Sequence, residues 1–332
     1  MNLSLKKFRY YTPEFFALIA LCVLCALLEW YSVAVFEKNF VSYDNLVINV
    51  ARQVSLNAII ACGMAFAILS GGIDLSVGAI VAFSGVITAS LVKNHPVAPG
   101  WTGYGVAIAA GIAIGLLCGL ANGLIVAYTK IPPFVATFAT MSVARGSAYV
   151  FTNGTPISGL PAAFNEVGKG YWNVSAALRV PIPVILCLVV FVFCWFLLVR
   201  TRFGRYACAI GNNVDTVRLA GINVRKIYIQ IYMLVGFVSG ISGVAQCGRL
   251  ASGQPTAGIN WELDAIASVV IGGGNIAGGR VTIFGTLIGA LIIGVINTGL
   301  NMLGMLYYNQ LIVKGFVVII AVLLRSGLNR ES

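Results

Sequence analysis

Long stretches without a single Asp, Glu, Lys or Arg recur along the whole chain, at 75–92, 94–129, 180–199, 227–248 and 281–313. A helix crossing the hydrocarbon core of a bilayer needs about 20 consecutive, mostly apolar residues, and these runs reach or approach that length. Composition agrees: 59% of residues are hydrophobic and 9% charged, far from the balance of a soluble domain. A membrane β-barrel would show short segments of alternating polarity, so the spans must be helices, which satisfy their own backbone groups. The expectation is an all-α, polytopic membrane bundle, a single domain over 1–332.

Uncharged runs and turn signals predict ten spans, near 13–35, 53–69, 78–92, 104–128, 133–151, 182–199, 227–247, 264–279, 281–303 and 309–325. Three are irregular: the fifth is interrupted by Arg145, the eighth is short and ends in IGGGNIAGG, and the tenth contains Lys314. With the N-terminus inside and sides alternating, thirteen Lys and Arg fall in cytoplasmic segments and six outside, which supports both termini inside. The net charge of +11 is thereby assigned to membrane orientation and not to nucleic acid. The N-terminus MNLSLKKFRYY resembles a signal n-region but is read as an uncleaved first span. The long loops at 36–51 and 152–181 are expected outside, the second carrying TNGTPISGLP and the exposed aromatics of GYWN, as a meeting surface or a spacer. Seven of the eight Cys lie in apolar runs and read as small buried hydrophobes, and His95 in a loop has no metal partners.

Three stretches break the apolar pattern in ways that point to function. TRFGRYACAIGNNVDTVRLAGINVRKI, 201–227, is a long basic interruption on the expected cytoplasmic side. Asn212, Asn213 or Asp215 can cap a short helix through Thr216 to Ala220, with Gly221 ending it. Such a helix suits docking into a soluble partner, or resting on anionic membrane lipid. In ILSGGIDLSVGAIVAF, 68–83, Asp74 or Ser76 would cap the helix that follows, and Ser70, Gly71 and Gly72 break the one before. This is either a broken helix on a transport path or a tight turn. In the third, 261–294, Glu262 and Asp264 stand at a periplasmic helix start, where the dipole favours anions. There Gly272, Gly273 and Asn275 open a glycine-rich break, and GTLIGALIIG suits close helix packing. The chain has no phosphate loop of the GxxxxGK[ST] kind, no nucleophile set beside a base and no metal cluster. No enzyme activity and no cofactor is therefore expected.

SGGIDLSVG (70–78), TRFGRYACAIGNN with RLAGINV (201–224), QPTAG with ELDAIASVVIGGGNIAGG (254–279) and GTLIGALIIGVINTGLNMLG (285–304) closely resemble the permease subunit of bacterial ABC importers for ribose and related sugars. The likeness runs from residue 45 to the C-terminus. It implies a homodimer of ten-span subunits in the bacterial inner membrane, with the path between them. A cytoplasmic ABC ATPase on one face and a periplasmic sugar-binding protein on the other are the implied partners. Segment 201–226 would be the coupling element, with Arg205, Asn212, Asn213, Asp215, Arg218, Ala220 and Gly221 as its residues. Ser70, Gly71, Gly72, Asp74, Ser76, Gly272, Gly273 and Asn275 would lie on the path or at its helix breaks. NVRK at 223–226 departs from the pattern in its basic content. An ion-coupled secondary transporter is the rival reading, with Asp74 as its candidate carboxylate, and a same-family permease for another substrate is the nearer one.

Overall fold

All ten expected spans contain helix, and their differences show where the fold departs from a simple bundle. The computed structural model describes residues 3–37, 39–94, 98, 100–175, 178–306, 308–317 and 319; His95 and the end of the tenth span lie outside them. Helix α1 is Leu3–Phe36, and a π-helical stretch, Asp44–Ala51, runs into α2, Arg52–Leu69. Then come α3 (Val77–Lys93), α4 (Gly100–Tyr128), α5 (Pro133–Thr152), α6 (Ala162–Lys169) and α7 (Ile182–Arg200). The second half holds α8 (Arg202–Asn212), α9 (Val214–Leu219), α10 (Val224–Leu250), α11 (Trp261–Ile271) and α12 (Ile283–Met302). Residues 308–317 are helical as well. Among the described residues six helical segments are long and apolar enough to cross a bilayer, and the chain is a multi-pass membrane protein.

Helix α2 is the centre of the bundle. From Ala58 to Leu69 it is apolar on every side, and a helix of that kind has no solvent face to offer. Leu56, Ile59, Ile60, Met64 and Phe66 are all buried against α7, α10, α11 and α12. Helix α10 is the second centre, packed on α4, α3 and α2. Its contact with α4 follows from glycine at every fourth position, Gly111, Gly115, Gly119 and Gly123, one stripe of the helix. A methyl group built on Gly115 would lie 2.8 Å from the Cα of Gly240 and one on Gly123 2.7 Å from the Cα of Ile229. In lipid, where tails are as apolar as leucine, such backbone approach is what holds helices together. GTLIGALIIG in α12 behaves as expected: Gly285 and Gly289 meet Gly272 and Ser268, and Gly294 meets Val54 of α2.

The outer surfaces of α1, α4, α5 and α7 expose large apolar side chains, among them Phe15, Leu117, Val150 and Phe196, as a lipid-facing shell should. Cys22 is also exposed there, whereas Cys62, Cys187, Cys194 and Cys247 are buried as expected.

The loops gather at two ends. At one, segment 152–181 carries regular structure. Its β1 (Ile157–Ser158) pairs antiparallel with β4 (Ser252–Gly253), and β2 (Tyr171–Asn173) pairs with β3 (Arg179–Pro181). Helix α6 sits on the end of α10, where Gly168 meets the backbone of Gly248 and Arg249. Tyr171 lies beneath Arg52 and Arg179, with guanidinium carbons 4.7 and 5.7 Å from the ring centroid, and Trp172 beside it is the more exposed of the two aromatics. The opposite end carries the 70–76 turn, α8, α9 and the turn after α11.

Candidate functional site

The basic segment 201–227 folds as two helices. Thr201 starts α8, its hydroxyl accepting from the amide of Gly204 at 3.4 Å. An amphipathic spacing buries Gly204, Ala207 and Ile210 and leaves Arg202 and Arg205 exposed. Of the three possible caps for the short helix, Asn213 serves: its Oδ1 accepts from the amide of Thr216 at 2.9 Å. Asn212 instead turns back, donating from Nδ2 to the carbonyl of Cys208 at 2.8 Å. Gly221, at φ +75°, takes the left-handed conformation that releases the chain toward α10. Asp215 and Arg218 form an exposed ion pair at 2.9 Å within α9. Leu219 is 90% exposed, an apolar tip that charge-centred sequence reading passed over.

The 70–76 turn buries its polar side chains, Ser70, Asp74 and Ser76. Helix α2 stops at Leu69, Gly71 takes φ +80°, and Asp74 and Ser76 have no exposed surface. The expectation that Asp74 or Ser76 caps α3 is corrected: no side-chain cap is made there. Asp74 Oδ1 accepts from the amide of Ser76 at 2.8 Å and its hydroxyl at 2.5 Å. Asn122 of α4 donates to Ser76 Oγ at 2.9 Å and Asp74 Oδ2 at 3.3 Å. Leu75 donates its amide to Thr137 Oγ1 of α5 at 3.1 Å. Asn122 is six residues from the end of α4, about 9 Å along the axis, so the turn dips into the bundle.

Its outer end is a three-way joint. The carbonyl of Leu69 accepts from the amide of Gly279 at 2.9 Å, and Cys208 of α8 donates from Sγ to the carbonyl of Gly279 at 3.1 Å. A methyl on Gly211 would lie 2.5 Å from the nitrogen of Gly279 and collide with the carbonyl of Leu69. Helix α8, the end of α2 and the glycine turn therefore touch backbone to backbone. Gly272 and Asn275 shape that turn. Gly272 lies directly against Gly285, and Asn275 closes the loop by accepting Gly278 N–H at its carbonyl and donating to Gly278 O from Nδ2, both at 2.9 Å. Gly273 takes φ +92°.

The eighth span corrects the sequence reading most. Helix α11 has 11 residues, about 16 Å, half of the hydrocarbon thickness. The rest of the crossing is non-helical: after α10 the chain turns back along α3, with Gly253 beside Val86 and Gly258 against Gly78, and only then does α11 begin. Glu262 and Asp264 do stand at a helix start, but it lies inside the bundle and not at a periplasmic surface. Glu262 Oε2 would be 2.6 Å from a methyl on Gly78, the second residue of α3. Non-helical backbone at this depth must find partners within the protein, and Arg145 of α5 supplies them, donating from Nη1 to the carbonyls of Pro255 and Ala257 at 2.6 Å each. Asp264 pairs with Lys314 at 3.3 Å, both side chains largely buried, and Asn297 hydrogen-bonds to it. Beside them is a cavity of about 70 Å³ with Gln53, Asn57, Arg249 and Asn297 in its wall, and Asn57 Oδ1 and Asn297 Oδ1 have no protein partner. The crossing is thus discontinuous, with polar groups gathered at its break.

The sequence pattern described as "branched-chain amino acid transport system / permease component" matches residues 46–322. The chain belongs to this permease family. The ribose import permease protein RbsC of Escherichia coli (strain K12) is 44% identical to it over 321 residues, 95% of either chain. RbsC of Bacillus subtilis (strain 168) is 46% identical over 296 residues, 88% of either. The D-allose transport system permease protein AlsC of Escherichia coli (strain K12) is 37% identical over 280 residues, 84% of this chain and 83% of that one. No solved structure matches. The permease thus unites three features that its sequence shows only as separate irregularities. Arg145 and Lys314, which interrupt the fifth and tenth spans, are the partners that the broken eighth requires. The signal available in the sequence was a coincidence of number: two unexplained intramembrane cations, and a glycine-framed segment carrying two acids.

Proposed function

We propose that the chain is the transmembrane subunit of an ABC importer in the bacterial inner membrane, passing ribose or a similar monosaccharide inward. The supporting observation is the near full-length likeness to permeases named for ribose import, 95% of either chain for the Escherichia coli protein. A cytoplasmic ATPase drives the cycle, a periplasmic binding protein delivers the sugar, and two copies of the permease form the path between them.

In this reading α9 is the coupling helix. Its cap at Asn213, its ion pair and its release at Gly221 make a stiff peg with Leu219 at the tip, shaped for a groove on the ATPase. Asp215, Arg218 and Ala220 face that partner, while Arg205 and Asn212 belong to α8, which carries motion inward. At the joint, a shift of α8 meets the ends of α2 and the glycine turn directly. The turn continues α11, so the broken span moves with it, and the 70–76 turn with Asp74 moves with α2. The polar groups around Asp264, Asn297 and Asn57 offer transient partners to sugar hydroxyls. Transport then follows a two-state equilibrium biased from both faces.

Uptake of labelled ribose into proteoliposomes tests this, with the ATPase inside and the binding protein outside. Uptake that needs ATP and both partners is expected. Uptake by the chain alone along an ion gradient would overturn the reading and make a carboxylate such as Asp74 the coupling group.

A further inference from the structure

At the end of the bundle that carries α9, a cleft of about 630 Å³ opens between the last turn of α4 and the start of α10. Tyr128, Lys130, Arg218, Arg225 and Tyr228 stand in its wall. Arg218 is engaged by Asp215. Lys130 and Arg225 are exposed, and neither has a carboxylate partner among the described residues, whose ion pairs are Asp215–Arg218 and Asp264–Lys314. The guanidinium carbon of Arg225 lies 5.1 Å from the ring centroid of Tyr128; a cation held over a ring still presents its N–H edge to an anion. The cleft is also where a stripe of the lipid-facing shell ends. Leu117, Ala121, Leu124 and Tyr128 recur at the helical period along one face of α4, away from the glycines that pack on α10, and all four are exposed. The stripe is about 16 Å long, close to the depth of one leaflet of hydrocarbon.

We infer that this cleft binds an anionic phospholipid, its phosphate held by Lys130 and Arg225 beside Tyr128 and one acyl chain lying along Leu124, Ala121 and Leu117. A soluble anion would meet the cations and leave the stripe uncovered. A zwitterionic lipid would cover the stripe but bring a cation of its own to two others, whereas an anionic phospholipid answers both demands. Aromatic and basic side chains at a helix end sit level with the headgroups, each Lys or Arg near that surface adds to the attraction for acidic lipid, and guanidinium forks suit phosphate oxygens. Arg225 is in the first turn of α10, just after the chain leaves α9 at Gly221, so a lipid held there braces the junction of the two helices. The lipid site does not depend on which solute is carried; its bracing of α9 rests on the coupling role proposed above.

The test places the full chain in nanodiscs of equal parts phosphatidylglycerol and phosphatidylcholine and counts the lipids it retains on release by native mass spectrometry. Phosphatidylglycerol should be retained in preference. Lys130→Gln and Arg225→Gln should each lower that preference about fivefold, the factor that one interfacial cation contributes, and Arg225→Lys should keep most of it. Lys226→Gln, exposed beside Arg225 but outside the cleft, should leave it unchanged. Equal retention of the two lipids by the wild type overturns the proposal, as does an equal loss in all three Gln variants, which would mean diffuse surface attraction. Glycerol phosphate has the charge without the chains and should not displace the lipid; displacement at matched concentration would assign the cleft to a soluble anion. A preference unchanged in Lys130→Gln and Arg225→Gln, with weaker binding of the ATPase, would assign it to an acidic surface of that partner. Lys130 is exposed and lies beyond the end of α4, so its variant decides the question should Arg225→Gln fail to insert.

Discussion

Two ion pairs of the same chemistry stand in opposite surroundings. Asp215–Arg218 lies on α9 with its side chains 75% and 67% exposed, whereas Asp264–Lys314 lies in the bundle with its side chains 12% and 16% exposed. Water competes for the first, so it adds little to stability. Taking the second pair out of water is expensive, and it persists because each charge compensates the other and Asn297 adds a further hydrogen bond. The exposed pair is free to be read by a partner. The buried pair ties α11, too short to hold a place in the membrane by itself, to the last helix. Sequence reading puts Asp215 and Arg218 together in one docking loop but leaves Asp264 at a helix start and Lys314 as an irregularity of another span; that the latter two pair, and at what depth, is known only once burial is.

The largest effect expected from breaking this contrast is at the buried pair. Lys314→Met leaves Asp264 buried and uncompensated and should destabilise the protein by about 3–5 kcal/mol, seen as a lowered midpoint of thermal unfolding in detergent. Adding Asp264→Asn should restore most of that midpoint. If the single variant unfolds like the wild type, the pair does not hold the broken span. Arg145→Met comes next. It strips the carbonyls of Pro255 and Ala257 of their donor, at about 1–3 kcal/mol per buried group left unsatisfied, and protease sensitivity should rise in segment 251–260 first.

Gly211→Ala is of similar or smaller size, about 1–3 kcal/mol by overpacking, because its methyl meets the backbone of Leu69 and Gly279. Its sharper readout is functional: ATP hydrolysis by the assembled complex should continue while uptake falls at least tenfold. Uptake and hydrolysis falling in parallel would mean that the joint does not transmit motion. The smallest stability change belongs to the exposed pair. Asp215→Ala and Arg218→Ala should each move stability by less than about 1 kcal/mol and yet abolish uptake, and Leu219→Asp should do the same. Normal uptake in these variants would remove α9 from the coupling role.

How far each site was legible depended on the range of its interactions. The α9 peg was readable because its determinants lie within a few residues of one another: a side-chain cap, a helical pair and a left-handed glycine. The sequence left three caps open, and geometry selected Asn213. The joint was not readable, since Leu69, Gly211 and Gly279 are far apart in the chain and their contact depends on what a missing side chain allows. Asp74 was noticed for its charge, but its bond from Asn122 requires α4 to be in place, and its neighbour Leu75 is held by Thr137 of α5.

By itself the sequence determined that this chain lives in a membrane, that its segments are helices, and roughly where they begin and end. These follow from local composition, because lipid cannot satisfy a backbone or a charge and each span must meet that demand on its own. Only the tertiary structure decided that the eighth crossing is part helix and part turn and that Arg145 and Lys314 exist to complete it. It also decided that Glu262 and Asp264 are interior and that three backbones meet at Gly211. Those outcomes rest on groups distant in sequence satisfying one another, which no local pattern records.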